Sequence, residues 1–297
     1  MFVSSNLCIA QSHGWLNHLP PRILCASHFK VNTRLSQQSE ETQQQQQQQL
    51  KEPDNRFGNM AYWDESYRKS LGDIDGDGGG DGDGLRKNTR YDSSSTGGTF
   101  SWYCGWKDEL EPFFAELVPP ERDPAVLVPG IGNDACIRDM FDAGYRRLTA
   151  FDYAPDGVEC ARRMLGPERL RCMADLRVAD ARSLPYRDAS YDAVLDKGTL
   201  DSIYLSGGKD KKLAREHLDM AISELARVVK VGGIVFSVTA ACVDDVQRSF
   251  DACNDNMNGC RWKQIRDGTL YMTEDGYTSN NVDATILVWE KIKEAGN

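Results

Sequence analysis

The stretch that decides the fold runs from Ala125 to Asp152 and reads AVLVPGIGNDACIRDMFDAGYRRLTAFD. A short apolar run leads into a Gly-x-Gly turn, and a helical segment and a second apolar run follow. A short apolar run before glycine is typical of a parallel strand that is covered on both faces. Gly130 and Gly132 permit a sharp turn and close approach of a ligand, because neither carries a Cβ. The stretch therefore predicts a strand, a helix and a second strand that ends in an acid.

Strands and helices alternate through the rest of the chain. Alternation of this kind implies right-handed crossovers and a doubly wound parallel sheet. The tail differs, since its apolar and polar residues alternate as in antiparallel edge strands. We therefore predict an α/β fold with a mostly parallel sheet and antiparallel C-terminal strands. The predicted helices are 106–118, one that ends near Gly144, one that begins after Pro155, and 211–229. The further predicted strands are 176–179, 191–195, 234–239, 262–265, 269–273 and 284–290.

Two low-complexity stretches divide the chain. Residues 1–56 are predicted to be a disordered tail that contains a glutamine run at 43–49. Residues 1–39 lack acidic residues and carry several serines and a few basic residues, which is also typical of a transit peptide. Residues 72–98 are rich in glycine and aspartate and predict a disordered insertion in a domain that spans 57–297. The insertion imitates the opening of a calcium loop, but its twelfth position is Gly84, where a bidentate Glu is needed.

Composition narrows the classes of function. The formal net charge of -10 argues against nucleic acid as a partner, because nucleic-acid sites are built on basic surface. The sequence contains no run of about 18 apolar residues, so we predict no membrane-spanning helix. The chain has nine cysteines without a C-x-x-C pair and only four histidines, so we expect no zinc site. The scattered cysteines favour a reducing compartment. We therefore expect a cytoplasmic protein, with the mitochondrion or plastid as the alternative if the tail is a transit peptide.

Three aspartates each close a predicted strand. Asp152, Asp180 and Asp196 are expected to face one crevice, because the carboxyl ends of parallel strands meet at one edge of a sheet. Such a rim repels a pyrophosphate and attracts a ligand with ribose hydroxyls, an amine and a cationic centre. S-adenosylmethionine has these features. Two alternatives stay open: a strand-end aspartate can instead cap a helix, and a dinucleotide fingerprint is possible although Ala135 replaces its third glycine.

Four motifs follow one another along the chain: VLVPGIGNDACIRDMFDAGY, LTAFDYAPDGV, VADARSLPYRDASYDAVLDKGTLDSI and ELARVVKVGGIVFSVT. Together they resemble a known family, the seven-strand (class I) S-adenosylmethionine-dependent methyltransferases. More narrowly, they look like the methyltransferase-like protein 13 group, which includes translation elongation factor 1A lysine methyltransferases. The resemblance implies a seven-strand, Rossmann-like sheet and S-adenosyl-L-methionine as the cofactor. It extends from Tyr62 to about Thr239, and it departs from the family at Pro129, since no acidic residue precedes the glycine turn.

The resemblance assigns a role to each matching residue. The methionine part of the cofactor is expected over the glycine turn, the ribose on the acid after the second strand, and the adenine at the end of the third. Lys197 is expected at the mouth of the active site, beside both the cofactor and the substrate, and Asp196 or Asp201 could orient the substrate amine. The expected cofactor-binding residues are Trp63, Tyr67 and Trp102 as an aromatic lid, and Gly130, Gly132, Asn133, Asp152, Tyr153, Asp180, Ala181 and Lys197.

The resulting prediction is an enzyme that methylates a lysine of another protein, such as a translation elongation factor. A small-molecule methyltransferase and an inactive adaptor that only binds the cofactor are the alternatives. A protein that carries the target lysine is the expected partner, and neither nucleic acid, membrane nor a metal ion is expected. The oligomeric state stays open.

Overall fold

The computed structural model describes residues 55–75, 102–173, 175–257, 259–270 and 284–293. Seven strands form one sheet in the order β3-β2-β1-β4-β5-β7-β6. The predictions for the tail at 1–54 and for residues 76–98 of the insertion lie outside the described residues. The strands are β1 Ala125–Pro129, β2 Arg147–Asp152, β3 Asp175–Val178, β4 Tyr191–Lys197, β5 Val229–Thr239, β6 Cys260–Leu270 and β7 Ala284–Lys293.

The sheet is parallel from β3 to β5. Strand β1 lies in its middle, where Val126 pairs with Leu148 of β2 and with Ala193 of β4. Strand β7 runs antiparallel to both β5 and β6, so it alone is reversed. The predicted seven-strand, mostly parallel sheet with antiparallel C-terminal strands is confirmed. The tail holds one long strand, β6, where two short ones were predicted, because a bulge between Gln264 and Arg266 shifts the alternation without ending the pairing.

The described part of the chain contains seven α-helices, of which the first two precede β1. They are α1 Met60–Asp75, α2 Glu111–Leu117, α3 Cys136–Asp142, α4 Pro155–Cys172, α5 Thr199–Leu205, α6 Lys211–Val228 and α7 Val243–Cys253. The predicted helix at 106–118 is a π-helical turn, Trp106–Leu110, that continues into α2. Helices α5 and α7 were not predicted. Helix α5 has only seven residues and starts directly after Gly198, so its pattern is too short to separate from the strand before it.

The core forms between the sheet and the helices on its two faces. All five residues of β1 are buried, as expected of a strand covered on both faces. Helix α6 turns Leu218, Ile222 and Leu225 toward the sheet, on the face that its sequence pattern predicts. On the β6 side, the ring of Phe250 stacks on Trp289 with 3.7 Å between centroids. The core therefore holds the carboxyl ends of the parallel strands in fixed positions.

The N-terminal segment covers the carboxyl ends of the strands. A 3-10 turn at Asn55–Gly58 packs against α5, which follows β4, and α1 packs against α4, which follows β2. Because β1 lies between β2 and β4, the segment crosses the edge of the sheet above β1. Helix α1 continues to Asp75, so the first four residues of the predicted insertion are helical. None of the helices in the described part of the chain combines the length and apolar composition that a membrane span requires.

Candidate active site

The glycine turn after β1 is tightly packed. Gly130 and Gly132 have φ angles of +61° and +45°, which glycine adopts without steric cost. A Cβ added at Gly130 would lie 2.3 Å from Oγ1 of Thr199, at the start of α5. That hydroxyl donates a hydrogen bond of 3.0 Å to the carbonyl oxygen of Pro129. The turn therefore has room for backbone only, on the side that faces α5.

Asp152 closes β2 and is only 2% exposed. Its Oδ2 accepts a hydrogen bond of 2.9 Å from the backbone N–H of Gly132, and its Oδ1 accepts one of 2.8 Å from Ala154. Burial raises the pKa of this carboxyl to about 6, against the opposing effect of these backbone donors. Each carboxylate oxygen has a second lone pair, so Asp152 can still accept the two hydroxyls of a ribose.

The aromatic lid comprises Phe57, Tyr62, Trp63, Tyr67 and Trp102. Trp63 stacks on Tyr67 at 5.6 Å between centroids, and Trp102 meets Trp63 edge to face at 5.2 Å. The ring of Tyr67 lies directly over the glycine turn, because a Cβ added at Gly132 would lie 2.3 Å from its hydroxyl oxygen. The three predicted lid residues thus meet in space although 35 positions separate Tyr67 from Trp102 in the sequence.

Gly157, in the first turn of α4, also lets the ring of Tyr67 pack closely, because it has no side chain. A Cβ there would lie 2.8 Å from the Tyr67 ring and 3.0 Å from Cγ of Asp152. Sequence reasoning did not single out Gly157, since a glycine in the first turn of a helix has no distinctive pattern. Asn133 adds a polar contact to the lid helix, because its Nδ2 donates a hydrogen bond of 3.2 Å to Oγ of Ser70. Tyr153 is half-buried and packs against the same aromatic cluster.

Lys197 is buried inside the protein, whereas it was predicted at the mouth of the active site. Its side chain is 7% exposed, and its Nζ lies 2.7 Å from Oδ2 of Asp134 and donates a hydrogen bond of 2.6 Å to the carbonyl oxygen of Cys104. Burial lowers the pKa of Lys197, but Asp134 together with the nearby Cys136 and Cys104 holds this pKa above its usual value. Asp134 also accepts hydrogen bonds from the backbone N–H groups of Cys136 and Trp102. The pair of Lys197 and Asp134 therefore joins the end of β4 to the loop after the glycine turn and to the lid residue Trp102.

Asp201 is anchored in the same region. It is 2% exposed and accepts hydrogen bonds from the Tyr103 hydroxyl at 2.7 Å, the Thr239 hydroxyl at 2.5 Å and the backbone N–H of Cys242 at 3.1 Å. Tyr103 itself has a φ of +64°, an uncommon backbone conformation for a residue with a side chain. The structure thus places Asp201 where it holds Tyr103, and the carboxylate does not reach the crevice.

Asp196 also departs from the predicted rim. Its carboxylate is fully buried and accepts hydrogen bonds of 3.0 and 3.2 Å from the first two backbone N–H groups of α5, those of Thr199 and Leu200. The Ser237 hydroxyl donates to its other oxygen at 2.5 Å. Burial raises its pKa to about 7. Asp196 therefore caps a helix, the alternative that the sequence left open for a strand-end aspartate.

Asp180 follows β3 and stays half-buried at the rim. The Arg182 guanidinium holds both of its oxygens, with Nη2 at 2.7 Å from Oδ2 and Nε at 3.0 Å from Oδ1. Burial raises the pKa of Asp180, but Arg182 outweighs that effect and the net shift is downward. Its neighbour Ala181 is buried. Two carboxylates, from the ends of β2 and β3, therefore line the crevice in place of the predicted three.

The residues of the crevice fit an adenosyl ligand. The glycine turn offers backbone without side chains, Asp152 offers acceptors for a diol, and the aromatic lid supplies apolar faces. On the lid helix, Oδ1 of Asp64 is buried and accepts no hydrogen bond from the described residues, so an acceptor is left for a ligand. No three His, Cys, Asp or Glu side chains within the described ranges are grouped to hold a metal ion.

Comparison with known proteins relates part of this chain to a known family. The family described as "Methyltransferase domain" matches residues 127–237. The chain is 32% identical over 161 residues to EEF1A lysine methyltransferase 4 of Mus musculus, which covers 51% of this chain and 58% of that protein. It is 30% identical over 142 residues to eEF1A lysine and N-terminal methyltransferase of Homo sapiens, which covers 48% of this chain and 19% of that protein. The matched region is therefore well under two thirds of either relative.

Among solved structures, the comparison matches a SAM-dependent methyltransferase from Methanosarcina mazei, with a TM-score of 0.44 and 16% identity over 62% of this chain and 98% of that one. The matched domain agrees with the predicted family over residues 127–237, within the parallel part of the sheet. This part of the chain is similar to methyltransferase domains, and about half of the chain is similar to the eEF1A lysine methyltransferases.

Proposed function

We propose that this protein transfers a methyl group from S-adenosylmethionine to a lysine side chain of another protein, and that a translation elongation factor is the substrate class. The proposal rests on one observation above all: the ring of Tyr67 covers the point where Asp152 accepts a hydrogen bond from the glycine turn. A diol acceptor, a bare backbone turn and an aromatic cover meet there, which suits an adenosyl sulfonium. The names of the relatives supply the substrate class.

Each part of the crevice would hold one part of the cofactor. Asp152 would accept the ribose hydroxyls, with Tyr153 beside the sugar. Asp180 and the backbone of Ala181 would meet the adenine at the end of β3. The glycine turn, 130–132, would lie under the methionine portion. Bound in this way, the cofactor supplies an electrophilic methyl group on a cationic sulfur.

The contribution of the protein to the reaction is alignment and the exclusion of water. Transfer of a methyl group needs nucleophile, carbon and leaving group in line, so most of the rate gain comes from positioning. Rings of the aromatic lid next to a sulfonium or an ammonium contribute a cation–π attraction of about 0.5–2 kcal/mol. A lysine amine that enters under such a lid loses water, which lowers its pKa and favours the neutral, nucleophilic form.

The predicted catalytic carboxylates have a positioning role in this mechanism. Asp196 and Asp201 are both buried and each accept at least three hydrogen bonds from within the protein. The ammonium of Lys197 pairs with Asp134 and donates to the carbonyl oxygen of Cys104, so contacts within the protein already occupy it. The proton of the substrate amine is therefore lost to water as the amine enters under the lid, and the proposal requires no side chain as a base.

Transfer of tritium from labelled S-adenosylmethionine tests this function. Recombinant chain is incubated with purified eEF1A and, separately, with a whole lysate from which endogenous cofactor has been removed. The proposal expects a labelled protein band in both, with the label mapped to a lysine by mass spectrometry. Asp152→Ala should abolish the label, whereas Asp219→Ala, at an exposed aspartate of α6, should not.

The other outcomes of the same experiment separate the alternatives. Label only in extracted metabolites would support a small-molecule methyltransferase. No label together with tight binding of S-adenosylhomocysteine would support the inactive adaptor. We also propose a cytoplasmic location, which suits a translation factor as substrate. Microscopy of the full chain with a carboxyl-terminal fluorescent tag decides between the cytoplasm and the mitochondrion or plastid.

A further inference from the structure

Asp64 is a charged side chain with an unsatisfied buried atom. It lies on α1, the lid helix, next to Trp63, and its Oδ1 is buried without a hydrogen-bond donor in the described part of the chain. The other unsatisfied buried side-chain atoms among the described residues belong to neutral groups, in Trp106, Tyr186 and Trp262. A buried carboxylate oxygen without a donor is costly, so its presence calls for a partner that the protein alone does not supply.

The position of Asp64 shows which way this oxygen faces. Asp64 and Tyr67 are three residues apart on a helix, so they lie on the same face. The ring of Tyr67 lies against Gly157 and Asp152, at the floor of the crevice. Burial is the main cause that raises the pKa of Asp152 and of Tyr153, and the charge of Asp64 adds to it, so Asp64 lies near both residues. Asp64 belongs to the lid helix and Asp152 to the end of β2, so the two carboxylates come from different elements.

Two facing carboxylates repel each other unless a donor lies between them. A ribose offers two adjacent hydroxyls, and a hydroxyl can donate to a carboxylate in a charge-assisted hydrogen bond. Asp152 already receives backbone donors on both of its oxygens, whereas Oδ1 of Asp64 accepts no hydrogen bond from the described residues.

We propose that Asp64 is a second ribose-binding residue, which accepts a hydrogen bond from a sugar hydroxyl of the adenosyl ligand. The sugar then bridges the end of β2 and the lid helix, so that binding of the ligand itself fastens the lid. The inference deepens the proposed function and rests on its adenosyl ligand. It extends the cofactor site from the sheet to a helix that lies about 60 residues before the glycine turn in the sequence.

Replacement of the charge separates this role from a structural one. Asp64→Asn keeps the shape of the side chain but removes the charge. The ligand-free protein should melt at the same or a higher temperature, because an unpartnered charge that faces Asp152 is gone. Affinity for S-adenosylhomocysteine should fall about 10-fold to 100-fold, the range expected when a hydrogen bond loses its charged acceptor. A residue that only supports the fold would lower both stability and affinity.

Isothermal titration calorimetry of the full chain with S-adenosylhomocysteine and with its 2′-deoxy and 3′-deoxy forms is the test. Glu65→Gln is the matched control, since Glu65 is exposed on the same helix and pairs only with Lys69 among the described residues. With the analogue that lacks the bound hydroxyl, Asp64→Asn should cause no additional loss. Unchanged affinity of Asp64→Asn for S-adenosylhomocysteine, while wild type binds it, would overturn the inference alone. If wild type itself fails to bind, the inference falls together with the proposed function.

Discussion

The ion pair of Lys197 and Asp134 offers a sharp test of how this site is held together. Substitution Lys197→Met keeps the aliphatic length and removes the ammonium. It breaks the 2.7 Å contact with Asp134 and the hydrogen bond to the carbonyl of Cys104. The side chains of the pair are only 7% and 10% exposed, so water cannot replace the lost partner. Asp134 is then left as a buried and uncompensated charge.

The size of the effect follows from this burial. Removal of one partner from a buried ion pair costs about 3–5 kcal/mol of the free energy of unfolding. For a domain of this size, each kcal/mol lowers the melting temperature by about 2–4 °C, so the expected drop is roughly 6–20 °C. Because Asp134 also holds the backbone N–H of Trp102, part of the loss should appear as a looser lid. A double substitution, Lys197→Met with Asp134→Asn, should recover most of the stability, since no charge stays buried and the amide oxygen can still accept from the backbone.

A second ion pair in the same sheet serves as the matched control. Nζ of Lys230 lies 2.7 Å from Oδ1 of Asp192, the same separation, but the two side chains are 36% and 37% exposed. Exposed pairs contribute about 0–1 kcal/mol, so Lys230→Met should shift the melting temperature by only a few degrees. Urea denaturation followed by circular dichroism measures both variants. Equal losses for Lys197→Met and Lys230→Met would refute the reasoning that burial sets the strength of the first pair.

Three further predictions follow from the same site. Gly130→Ala should destabilise the protein by clearly more than Gly208→Ala, because both glycines have a φ of +61° but only the first has an atom, Thr199 Oγ1, within 4 Å of an added Cβ. Thermal denaturation compares the two, and equal losses would contradict the packing described for the turn. Asp196, with a pKa of about 7, keeps a proton in the folded state that the unfolded chain has lost above about pH 4, so its contribution to stability falls as the pH rises from about 4 to 7. The melting temperature of Asp196→Asn minus that of wild type should therefore increase over this range, and a constant difference would contradict the assigned burial. Asp152→Asn should weaken binding of S-adenosylhomocysteine about 10-fold to 100-fold in calorimetry, the effect of a charged hydrogen-bond acceptor made neutral, and an unchanged affinity would remove Asp152 from the ribose site.

The lid shows how far sequence reasoning reached for the site. Trp63, Tyr67 and Trp102 were predicted as a lid from a resemblance. In the structure Trp63 contacts the rings of both Tyr67 and Trp102, and the ring of Tyr67 lies over the glycine turn. Asp134 and Asp64 were not predicted. Each is a single acid in a stretch where an exposed acid would look the same. Only the packing of other segments buries Asp134 and the Oδ1 atom of Asp64.

Local patterns by themselves determined the parallel strands, the glycine turn and the buried face of α6. These features depend on the period of apolar residues and on the absence of a Cβ, which are properties of neighbouring positions in the chain. Tertiary structure alone decided what each strand-end acid does. Asp152 and Asp196 end their strands in similar sequence contexts, but Asp152 lies under the ring of Tyr67, whereas Asp196 meets the first N–H groups of α5 and the hydroxyl of Ser237. The partners of a carboxylate come from segments distant in the chain, so their arrangement in space, and not the strand that carries the acid, sets its role.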